Sequence, residues 1–126
     1  SFIVQIISTH LISELGLRIY RVSVGEAERF PALAREFYEC GPVLLRQRLI
    51  TYLERCIQRG ELRIPDIELA ADQLIELASA SVHDRALFLG LDSVDRSLLR
   101  RVNEGAVAMF LACYGTERVP AVAAAE

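Results

Sequence analysis

Lysine is absent: all 14 basic residues of this 126-residue chain are arginine, set against 17 acidic ones for a net charge of −3. The arginines are scattered, and duplex affinity comes from clustered cations that neutralise phosphates, so the chain by itself is a poor holder of DNA. Cysteine is scarce. Cys40, Cys56 and Cys113 are widely spaced, odd in number and form no CxxC pair, a pattern that suits reduced cytoplasmic thiols rather than a disulfide framework or a zinc site. Long apolar runs are missing as well. The longest stretches without a charged side chain, 1–13 and 105–116, fall short of the ~20 residues that span a bilayer, so no membrane association is expected. Residues 1–13 show neither a basic leader nor a small-residue cleavage site, so they do not read as a signal peptide. The chain starts on Ser1 inside an apolar run, and is expected to be a piece of something longer.

The usual catalytic patterns are lacking too. His83-Asp84 invites comparison with metal phosphohydrolases, but that chemistry needs further histidines upstream and only His10 exists. Glu14, Glu36, Glu39, Glu54 and Glu76 fall on different predicted helices without the spacing of a carboxylate pair. There is no glycine-rich phosphate loop and no nucleophile elbow. The expectation is a protein that is not an enzyme and needs neither metal nor cofactor.

What the chain does have is apolar surface, with 52% hydrophobic residues. A single domain of this length buries roughly two-thirds of its unfolded surface, so a real core is possible without staples. The excess over an ordinary soluble domain must line a cavity, a subunit interface, or both. Punctuation is sparse and regular. Phe30-Pro31 marks a joint, and Gly41-Pro42 a strong break, glycine serving a left-handed helix end and proline the first position of the next helix. Gly60 ends another helix, Asp66 caps its successor, Gly90 closes that one, and Asp92 or Ser93 caps the last, with Asp95 in a capping-box position.

Between these marks the spacing is helical. Leu45, Leu49, Tyr52, Leu53, Cys56 and Ile57 keep one face, and no stretch alternates with period two. The reading is an all-α fold of about six helices, near 1–14, 16–29, 31–40, 42–59, 66–89 and 93–114, in an orthogonal or antiparallel bundle. From Gly105 to Tyr114 the last helix carries no charge on any side, and its small residues permit close approach. A terminal helix without a polar stripe must be covered twice, and a second subunit is the natural cover. The last two helices are therefore expected to form a four-helix homodimer interface through Val82, Leu99, Val102, Ala106, Met109, Phe110 and Cys113.

The order of features resembles the regulatory domain of TetR-type transcriptional repressors. The resemblance runs from Glu26 through Arg29-Phe30-Pro31, Phe37 and Gly41-Pro42. It continues over Arg59-Gly60-Glu61-Leu62-Arg63 and the Asp-initiated helix with Ala70, Ala71 and Gln73, and ends at Phe110-Leu111-Ala112-Cys113-Tyr114-Gly115. It implies a ligand-binding and dimerising domain spanning 1–126, with an N-terminal helix-turn-helix absent from this chain, so that DNA is a partner only through the missing part. It also implies a small effector, apolar or aromatic, wedged between helices and shifting the spacing of the reading heads. Lining residues are expected on the inward faces: Ile7, His10 and Leu11; Tyr20 and Val24; Leu49, Tyr52 and Cys56; Leu74, Leu77 and Ser81. Core packing is the plainer role for each of these. Glu26 and Arg29 are expected to pair at the Phe30-Pro31 joint, and Arg100-Arg101 to form a solvated patch. The competing reading is a structural or partner-binding helical module that dimerises and senses nothing.

Overall fold

The computed structural model describes residues 24–25 and 27–118, and every regular element among them is helical. The helices expected near 1–14 and 16–29 therefore lie almost wholly outside the described residues. Helix α1 runs over Pro31–Tyr38, α2 over Leu44–Gln58, α3 over Ile67–Ser79, α4 over His83–Leu89 and α5 over Arg96–Tyr114.

Pro31 opens α1 at a position where a missing N–H costs nothing. The expected break at Gly41-Pro42 does not occur. A π-helical turn, Glu39–Val43, carries the chain from α1 into α2 with Pro42 inside it. Proline clashes with the carbonyl four residues back and cannot bond to it, and a wider turn relieves both problems without ending the helix. Gly41 consequently takes no left-handed conformation; among the described residues only Gly60 and Gly90 are glycines with positive φ.

Gly60 does terminate α2, with φ of 77°. Its amide donates to the Ile57 carbonyl (2.9 Å) and the Glu61 amide to the Cys56 carbonyl (3.0 Å), the paired bonds of a Schellman motif. Beyond it, Leu62 is buried and faces Gly115 across an isolated antiparallel bridge. The Arg63 amide donates to the Tyr114 carbonyl (2.9 Å) and the Thr116 amide to the Glu61 carbonyl (3.0 Å). This backbone clamp holds the end of α5 against the loop after α2.

Asp66 caps α3 as expected, accepting from the Leu69 amide at 3.1 Å. The single helix expected over 66–89 is broken at 80–82, where Ser81 has φ of 62°. After Gly90 comes a short 3₁₀ turn, Leu91–Ser93, so Asp92 and Ser93 are used there and Asp95 is the cap of α5, accepting from the Leu98 amide at 2.8 Å.

Helix α3 is the centre of the core, packed against α2 on one side and α5 on the other. Leu49, Leu53 and Cys56 of α2 and Ala106, Val107 and Phe110 of α5 close over its Ala70, Ala71, Leu74 and Ala78. Three alanines on one helix face leave room for the neighbouring backbones. Leu49 and Leu53 then fill the gap, each burial contributing about 1.5–3 kcal/mol. Outside this core, the Arg46 Nε lies 2.6 Å from Asp72 Oδ1 and ties α2 to α3.

Candidate ligand pocket and dimer surface

Four of the expected lining residues come together. Leu49, Cys56 and Leu74 are buried in the seam between α2 and α3, and Leu77 packs half-buried against them. The seam is filled by this packing, with Leu53, Ala70 and Ala71 closing it. The other described candidates do not converge on it. Val24 is 60% exposed, Tyr52 is exposed at the rim above Cys56, and Ser81 is exposed in the break between α3 and α4. Ile7, His10, Leu11 and Tyr20 lie outside the described residues, as does the cavity wall they were expected to form.

The electrostatics of the seam are those of an apolar site with a polar edge. Burial pushes the Cys56 thiol above its ordinary value, and the nearby Arg59, whose Nη2 is 3.4 Å from Sγ, opposes this. Burial likewise raises the Tyr52 hydroxyl, with Cys56 adding to the effect. Arg59 in turn is held by Glu61, with contacts at 3.2 and 3.3 Å. The polar groups at this edge are a thiol, a phenol and a guanidinium, set against aliphatic carbons. Arg29 lies with its guanidinium carbon 5.3 Å from the Phe30 ring centroid, while its expected partner Glu26 is outside the described residues. His83 is half-buried with Nδ1 3.8 Å from Asp84 Oδ1, and no group of three metal-ligating side chains occurs among the described residues.

The expected interface residues divide into three groups. Val82, Ala106 and Phe110 are buried inside the single chain (Phe110 only 6% exposed), where they pack within the protomer. Phe110 meets Tyr114 edge-on with ring centroids 5.0 Å apart. Leu99 and Val102 are half-buried. Met109 is 63% exposed and Cys113 is exposed, and they share a face with exposed Gly105, Ala108 and Ala112. That face runs from Gly105 to Cys113 without a charge. On α4, Phe88 and Leu89 are exposed at 79% and 69%, two large apolar residues missing from the interface expected on sequence grounds.

A separate open groove of about 580 Å³ lies at the clamp, lined by Gly60, Arg63, Cys113, Tyr114 and the turn that follows. Its lining mixes polar and apolar groups in near-equal measure. Among the described residues no helix is long and apolar enough to cross a membrane.

A helical domain whose last helix buries one face and leaves an apolar one exposed is the class this architecture defines. The chain belongs to the C-terminal domain family of AefR-like transcriptional repressors, whose profile matches residues 2–116. Two solved structures are similar to it. One is a protein of Mesorhizobium loti MAFF303099 assigned to the TetR-family transcriptional regulators, with 27% identity and a TM-score of 0.81 over 90% of this chain. The other is the flavonoid-responsive regulator FrrA, with 28% identity and a TM-score of 0.77 over 92% of this chain. The chain spans 56% and 58% of these two proteins. Comparison by sequence with curated proteins returned no match.

Proposed function

We propose that this chain is the effector-sensing and dimerising domain of a TetR-type regulator, and that effector binding changes DNA binding by a helix-turn-helix upstream. It works by binding, without catalysis, as a homodimer in the bacterial cytoplasm. The observation that carries this is the charge-free exposed face of α5 around Met109, on a domain of this family. Such a patch on a soluble surface marks a contact with another apolar surface.

The effector is a small apolar or aromatic molecule. Support comes from the flavonoid response in the name of the similar regulator FrrA. A flavonoid at about a hundred times its dissociation constant should stabilise the fold by roughly 2.7 kcal/mol and raise Tm by several degrees. Scanning fluorimetry reads this directly. No shift with a flavonoid, a smaller planar aromatic or an aliphatic of similar volume would instead favour a dimerisation module that senses nothing.

A further inference from the structure

The helix between the seam and the exposed Phe88 is interrupted without a glycine or proline to break it. Residues 77–84 contain neither glycine nor proline. The inward positions Leu74, Ala78, Val82 and Ala86 recur every four residues straight across the junction, the stripe of one continuous helix. Yet α3 stops at Ser79 and α4 restarts at His83. The Ala80 amide donates to the Leu77 carbonyl (3.3 Å) and the Val82 amide to the Ser79 carbonyl (3.1 Å), three-residue bonds in place of four-residue ones. Ser81 is the one non-glycine residue with positive φ among the described residues. An L-residue held there stores strain that a helical residue does not carry. Serine supplies the competing interaction: the Ser79 hydroxyl donates back to the Ile75 carbonyl at 2.7 Å, a local bond that often bends helices.

We propose that residues 80–82 are a two-state hinge, at which α3 and α4 interconvert between this bent form and a single continuous helix. Leu74 and Ala78 stay in place in both forms, while Val82 and Ala86, buried here, move with α4 and repack. The repacking and one strained residue stand against the few backbone hydrogen bonds that a continuous helix gains. The motion swings Phe88 and Leu89 relative to Leu74 and Leu77. The use of the hinge rests on the function proposed above. Leu74 and Leu77 on α3 are candidate lining and the end of α4 is candidate interface, so a molecule that prefers one form changes what α4 offers a second copy of the chain.

Ser81 is exposed, so replacing it leaves the core intact. Glycine at 81 accepts positive φ freely and weakens helix; alanine favours helix and resists positive φ. Amide hydrogen exchange on the full chain should therefore differ about thirtyfold between S81G and S81A at residues 81–84, with the parent chain in between. S81A should also gain helical circular dichroism. Equal protection in the two variants would overturn the hinge and leave a single fixed turn. Light scattering and effector titration on the same samples judge the functional reading separately. A monomer with the thirtyfold difference intact would sink that reading and keep the hinge.

Discussion

A methyl group at residue 60 would meet two obstacles at once. The backbone there has φ of 77°, and the new carbon would lie 3.0 Å from Arg118 Nη1. The guanidinium can swing away and the backbone cannot, so the left-handed conformation dominates the penalty, and Gly60→Ala should cost about 1–2 kcal/mol. Urea denaturation should show a lower midpoint with an unchanged slope. Cys56 gives a second test at this scale. Its thiol is buried and its proton held more tightly than in the unfolded chain, whereas Cys40 and Cys113 are exposed. Iodoacetamide should label Cys40 in the native protein, Cys113 once Met109→Glu has separated the chains, and Cys56 only after unfolding. The same shift has a sign in stability. A folded-state pKa above the ordinary 9.0 means that the folded chain keeps a proton the unfolded chain releases. Stability is then fully present below about pH 9 and lost as pH rises past it. The Tyr52 hydroxyl, raised by its own burial, acts in the same direction from a higher starting value. Tm should fall on the alkaline side, and Cys56→Ala, although less stable outright, should show the shallower alkaline slope.

Among the elements, the two aspartate caps make matched tests. Asp66→Ala and Asp95→Ala should each cost about 1 kcal/mol, read from thermal or urea melts, because each leaves a first-turn amide without its acceptor. Asp66 was legible in the sequence, since it stands alone between a proline and a run of helical spacing. The start of α5 was legible only to within three residues. Asp92, Ser93 and Asp95 are all competent caps, and the 3₁₀ turn that absorbs the first two leaves no periodic trace. Gly41-Pro42 reads as a stop in any local grammar; only the π turn, a tertiary accommodation, lets the helix pass. On α5 the limit is different. Phe110 and Met109 are neighbours about 100° apart on the helix, one buried and one exposed, and an all-apolar segment gives pattern reading nothing with which to tell them apart.

That distinction decides the test for the whole molecule. Static light scattering should give the mass of two chains for the parent protein and of one folded chain for Met109→Glu, since a charge on the exposed face opposes desolvation there without touching the core. Phe110→Glu should unfold the chain instead, so a folded monomer from that variant would contradict its burial. The candidate pocket was less legible than the fold. Leu49, Cys56, Leu74 and Leu77 share a seam because helix faces follow from spacing, but whether a seam is open or filled depends on how closely helices approach, which Ala70, Ala71 and Ala78 govern from the far side. The clamp between Leu62 and Gly115 carries a consequence for kinetics. Its partners are separated by three helices, so it can close only after α3 and α5 have docked, and the entropy of that closure is met late. Thr116→Val, which deletes the hydroxyl bond to the Gly60 carbonyl, should leave the refolding rate almost unchanged and quicken unfolding. The stitch that finishes the domain would thus govern how long it lasts rather than how fast it forms.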